Sequence, residues 1–156
     1  NLDYSGFVPN REALERLRSA PRPRHALMAL AYAASAGFFS VMFGGGWREF
    51  ALAFVAGGLT QGLVPLFRRL NAAAPLISMA GGFIAAASSL VLIGLMGGNQ
   101  EAVISGAIMP LLPGLAITNA VRDTMRGDLV AGMARTTEAL LSAVLLAAGV
   151  AAALML

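Results

Sequence analysis

From Leu70 to Gln100 the chain carries no charge, and the same is true of Ala26 to Trp47, Phe50 to Phe67, Ala102 to Val121 and Ala139 to Leu156. A helix needs about 20 mostly apolar residues to cross a bilayer, within a usable range of about 17–25. Each run meets or approaches that length. The run from Ala102 is interrupted by Pro110, Pro113 and Gly114. Alternation with period two, the mark of a membrane β-barrel, is missing. In hydrocarbon a spanning helix satisfies its own backbone groups. The expected fold is therefore an all-α integral membrane protein with five transmembrane helices, the fourth broken at Pro110-x-x-Pro113-Gly114.

Composition agrees. Hydrophobic residues make up 58% of the chain, charged residues 12%, and the mean hydropathy is +0.74. A soluble domain carries roughly 25% charged residues, so a water-soluble surface could not be covered here. The absence of cysteine excludes a disulfide scaffold and a thiolate metal site, and a lone His25 excludes a histidine cluster. No cofactor or metal is expected. The net charge of +3 does not point to nucleic acid, because the basic residues sit in short gaps between apolar runs rather than on a polar domain with interleaved aromatics.

Those basic residues, all arginine, set an orientation. Arg11, Arg16, Arg18, Arg22 and Arg24 precede the first run, Arg68 and Arg69 follow the second, and Arg122, Arg126 and Arg135 follow the fourth. Only Arg48 falls on the other side. Positive charge marks the cytoplasmic side. This ten-to-one split places the N-terminus in the cytoplasm and the C-terminus outside. Residues 1–25 form a cytoplasmic juxtamembrane segment, with Asn10 as the N-cap of a short helix carrying Leu14 and Leu17, ended by Pro21 and Pro23. It reads as a linker with a membrane-surface helix, or as the end of a soluble domain absent here. Residues 26–156 form the five-span domain.

Within the spans, Gly58 with Gly62 and Gly94 with Gly98 make G-x-x-x-G pairs, which let helices approach closely. Thr60, Gln61, Ser88 and Ser89 are expected to bridge helices.

The chemistry concentrates between Met109 and Glu138. Proline removes a helix hydrogen bond and clashes with the preceding turn, so a second half-helix begins near Leu115 and runs toward Met125. Its free N–H groups and positive dipole end would point into the membrane, as in transporters that hold anionic substrate groups there. A simple proline kink is the other reading. Asn119, Arg122, Asp123 and Arg126 stand at i, i+3, i+4 and i+7, a polar stripe that should avoid lipid. Gly127 and Asp128 make the following turn and helix cap. Arg135 and Glu138 sit three apart at the start of the fifth span. The set is either a gate or substrate site, or a cytoplasmic loop whose arginines only fix topology. Proton coupling would run through Asp123, Asp128 or Glu138.

On these residues the chain resembles the threonine/serine exporter family of bacterial inner-membrane transporters. The likeness rests on Leu112-Pro113-Gly114, Asn119-Ala120-Val121-Arg122-Asp123, Gly127-Asp128-Leu129-Val130, Gly132-Met133-Ala134-Arg135 and Glu138-Ala139-Leu140. Phe43-Gly44-Gly45-Gly46-Trp47 after the first span is similar to the family's loop. The resemblance implies export of small amino acids such as threonine and serine, or of a small carboxylate such as succinate, across the inner membrane. It implies a soluble cytoplasmic domain before the spans, and a second membrane half, fused or as a separate subunit in a homo- or hetero-oligomer. An odd span count agrees with that, because a similar half following in the same chain would be inverted.

Two enzyme classes fit the sequence less well. Asp128 to Arg135 is partly similar to the Asp-Gly-x-x-Ala-Arg signature of phospholipid-headgroup transferases. That signature needs further downstream aspartates, and the only acid after Arg135 is Glu138. An intramembrane serine protease needs a serine paired with a base within the spans, and the only histidine precedes them. The remaining alternative is a non-transporting membrane subunit or assembly scaffold.

Overall fold

The computed structural model describes residues 25–69 and 73–156. The segment carrying Asn10, Leu14, Leu17, Pro21 and Pro23 lies outside the described residues. Six α-helices, and no strand, occur among the described ones: α1 (His25–Met42), α2 (Trp47–Arg69), α3 (Ala74–Met96), α4 (Gln100–Ile108), α5 (Gly114–Met125) and α6 (Leu129–Leu154). A short 3₁₀ turn, Met109–Leu111, joins α4 to α5.

Local sequence sets the boundaries. The α1–α2 turn follows Phe43, with Gly44 at φ 87°, a left-handed conformation that glycine adopts without steric cost. Pro75 opens α3, where its missing N–H is one of the unpaired donors of a first turn. Asn99 caps α4 by accepting from the Glu101 and Ala102 amides at 3.0 and 3.3 Å. Asp128 caps α6 by accepting from Ala131 N at 3.1 Å.

Among the described residues, three helices are long and apolar enough to cross a membrane: Trp47–Phe67 of α2, Pro75–Met96 of α3, and α6. Gln100–Leu111 with Gly114–Met125, bent by 50°, make a fourth crossing if the pair is one span. The expected first span is realised as an apolar helix of only 18 residues, because the turn at Phe43–Gly46 ends it before Trp47. Among the described residues, three of the five expected spans meet the length, or four with the bent pair.

Packing follows the logic of lipid. α1 packs on α2 and α4, α2 on α3 and α3 on α4; α6 lies along α3, and α5 along α6. Most of the buried residues are small, among them Ala33, Ala36, Ala53, Ala56, Ala85, Ala86, Ala102 and Ala107. Large side chains such as Leu30, Phe38, Val91, Leu95, Leu140 and Val144 face outward. Lipid tails are as apolar as leucine, so helices gain by close backbone approach rather than by hiding large side chains. The closest approaches lie elsewhere than the G-x-x-x-G pairs. A Cβ on Gly149 would collide with the Met79 carbonyl, and one on Gly82 with the Leu146 carbonyl, where α3 crosses α6. A Cβ on Gly62 or Gly94 would meet nothing within 4 Å.

The polar residues of the spans also differ from expectation. Thr60 Oγ1 donates to Ala56 O at 2.8 Å, and Ser88 and Ser89 both donate to Ala85 O, at 3.1 and 2.7 Å. Each hydroxyl satisfies itself on its own helix instead of bridging two, the common alternative for Ser and Thr at the i−3 and i−4 carbonyls.

Candidate functional site

The break between α4 and α5 follows from its two prolines. Pro110 sits in the 3₁₀ turn. The ring of Pro113 disfavours the helical region for the residue before it, and Leu112 is extended, with φ −62° and ψ 139°. Pro113 then serves as the N-cap of α5, and it offers no side-chain cap. Gly114 N donates back to Leu112 O at 2.8 Å, and the positive dipole end of the helix carries no side-chain cap.

From this start α5 runs beside α6, and the two are held in three ways. Gly132 lets them touch: a Cβ there would collide with Thr124 Oγ1 and lie 3.1 Å from Ala120 O. The turn between them is closed by Asp128 N donating to Asp123 O at 3.0 Å, with Gly127 at φ 88°. Arg135 of α6 makes an ion pair with Asp123 of α5, Nη1 to Oδ2, at 2.5 Å.

Above that pair lies a cleft of about 250 Å³, lined by Pro113, Ala116 and Asn119 of the α5 side and by Arg135, Glu138, Ala139 and Ser142 of α6. The start of a half-helix, an amide, a guanidinium, a carboxylate and a hydroxyl thus share one concave surface. Such a set can hold a carboxylate at the guanidinium and helix start, and an ammonium at the carboxylate.

The expected polar stripe is divided. Asn119 and Asp123 face α6, whereas Arg122 and Arg126 line a separate groove on the other side of α5, with Thr118, Val121 and Met125. The division is geometric. At 100° per residue, positions 116, 119, 120 and 123 cluster on one side of the helix, and Ala120 there is buried. Positions 118, 121, 122 and 125 cluster opposite. Of the sequence-nominated residues, then, Pro113, Asn119, Arg135 and Glu138 line the cleft, and Asp123 reaches it through Arg135. Gly114 opens α5 behind it, Pro110 lies in the preceding turn, and Asp128 is engaged as a helix cap. Arg122 does not line the cleft.

The model of the threonine/serine exporter family, ThrE, matches residues 9–156. The chain belongs to this family. The match spans all of the motifs on which the resemblance was based, including both walls of the α5–α6 cleft. No curated protein and no solved structure gave a match. The chain is accordingly a multi-pass membrane protein of a transporter family.

Sequence reading of this ThrE chain missed Ser142, although it stands four residues after Glu138 and so on the same helical face. It also missed Glu49. The Gly46 amide donates to Glu49 Oε2 at 2.8 Å and the Asn99 amide donates to Oε1 at 3.1 Å. One carboxylate thereby ties the α1–α2 turn to the α3–α4 turn. Beside it, Phe50 packs edge-on against Phe38 and Trp47, with centroids 5.3 and 5.9 Å away.

Proposed function

We propose that this chain is one membrane half of a secondary transporter that exports threonine or serine, and that the α5–α6 cleft is its substrate site. The observation that carries the reading is the meeting of Arg135, Glu138, Asn119 and the start of α5 in one cleft. A hydroxy amino acid presents a carboxylate, an ammonium and a hydroxyl. Arg135 and the start of α5 suit the first, Glu138 the second, and Asn119 with Ser142 the third. Asp123 is engaged by Nη1 of Arg135, which leaves Glu138 as the cleft carboxylate for a cation and the other guanidinium N–H groups of Arg135 for an anion. A dicarboxylate such as succinate would set its second carboxylate against Glu138, so the zwitterion is favoured.

In this proposal α1 completes a five-span half, with the N-terminus in the cytoplasm of a bacterial inner membrane, as the arginine split indicates. A second half, inverted or supplied by another subunit, closes the other side of the cleft. Glu138 is also the group through which a proton would couple.

The test is counterflow of labelled threonine, serine and succinate in proteoliposomes, with the chain alone and with a candidate second half. Threonine or serine flux is expected, falling about ten- to hundredfold in Glu138→Gln or Arg135→Gln, the usual loss for a charge-assisted hydrogen bond. Normal assembly with no flux of any of the three would leave the scaffold reading in its place.

A further inference from the structure

The groove on the outer side of α5 has no role in that cleft. It measures about 430 Å³ and is lined by Thr118, Val121, Arg122, Met125 and Arg126. α5 packs along α6 by its other face. Arg122 and Arg126 are exposed, and neither makes an ion pair or a side-chain hydrogen bond among the described residues. Of the acids on the same hairpin, Asp123 is bound to Arg135 and Asp128 caps α6. Thr118 Oγ1 donates back to Gly114 O at 2.9 Å, which leaves its lone pairs free to accept.

Two uncompensated guanidinium groups one helical turn apart call for a doubly coordinated anion. The apolar residues between and beside them call for something more than an anion. Val121 is 54% exposed, Met125 82%, and Leu129 and Val130, just past the turn, 60% and 82%. Cations beside exposed apolar side chains near the end of a membrane helix are the pattern of a site at headgroup level. Charge and apolar area are matched together by one class of molecule.

We infer that the outer face of α5, built on Arg122 and Arg126 with Val121 and Met125, is a binding site for an anionic phospholipid. The phosphate lies between the two guanidinium groups and the glycerol and upper acyl carbons lie on Val121 and Met125. The site does not depend on the substrate reading of the α5–α6 cleft. It gives Arg122 a function apart from transport chemistry.

The test uses the full chain in mild detergent, titrated with phosphatidylglycerol, phosphatidylcholine and inorganic phosphate, with retained lipid counted by native mass spectrometry and unfolding followed thermally. Phosphatidylglycerol is expected to be retained and to raise the unfolding midpoint; phosphatidylcholine and phosphate are not. Arg122→Gln with Arg126→Gln should weaken phosphatidylglycerol binding roughly thirtyfold, from the loss of two surface cations. Arg122→Lys with Arg126→Lys should keep most of it, which guards against a variant that only misfolds. On the unmodified chain, raising salt should weaken binding progressively. Equal retention of both lipids, an effect of phosphate as large as that of the lipid, or unchanged phosphatidylglycerol affinity in the folded Gln variant would each overturn the site. So would a second copy of the chain, cross-linked through Thr118→Cys, occupying the groove in place of lipid.

Discussion

At the scale of single residues, the Asp123–Arg135 pair shows how geometry and energy can separate. Its side chains are 20% and 52% exposed, so the pair is screened and desolvated only in part. Exposed pairs of this kind contribute about 0.2–1 kcal/mol. That is too little to explain the pair as a stabilising device, and its use is orientation: it fixes a long, flexible guanidinium at the mouth of the cleft. Asp123→Asn should therefore leave the unfolding free energy within about 1 kcal/mol of the parent. It should raise the KM for amino-acid flux while changing the maximal rate less, because a loosened Arg135 weakens binding of the substrate carboxylate. Thermal unfolding and flux on the same preparation check both halves. A large stability loss with unchanged KM would remove the orienting role.

At the scale of elements, what was legible in the sequence and what was not divide along a physical line. The apolar runs behind α2, α3 and α6, the break at Pro110 and Pro113, and the Asp128 cap depend on residues within a turn or two of each other, and all are visible in linear spacing. Glu49 contacts Asn99, 50 positions away, and no local pattern announces that. The stripe of Asn119, Arg122, Asp123 and Arg126 is divided because its two edges, Arg122 and Asp123, stand 100° apart on the helix and α6 takes only the Asp123 side. Of each G-x-x-x-G pair only one glycine has a neighbour, Gly58 against Ala33 and Gly98 against Leu52, because the motif permits close approach but does not say which helix arrives. α3 and α6 instead meet at Gly82 and Gly149. Gly149→Leu should consequently disrupt the α3–α6 crossing, at or beyond the upper end of the about 1–3 kcal/mol typical of overpacking, because the obstacle is backbone. Gly94→Ala, with open space around it, should stay within about 0.5 kcal/mol. Unfolding in detergent compares them; equal tolerance of both would mean that the crossing is not close.

At the scale of the whole molecule, the question is whether α4 and α5 cross the membrane together or turn back within it. Each arm of the bent pair, Gln100–Leu111 and Gly114–Met125, is about 18 Å long at 1.5 Å per residue. A re-entrant hairpin would reverse direction, with an angle approaching two right angles. The angle is 50°, so the second arm continues the path of the first, and the two together reach about 33 Å against a hydrocarbon thickness of about 30 Å. The bent pair is long enough to cross, with its break near its own middle. Such a crossing puts Gln100 and Met125 on opposite sides. The chain has no cysteine, so Gln100→Cys and Met125→Cys each carry a single thiol. In sealed vesicles of one orientation, an impermeant maleimide added outside should label one variant at once and the other only after the bilayer is opened. Labelling of both from the same side would make the pair re-entrant. It would also return α6 to the starting face, and remove the odd span count on which an inverted second half depends.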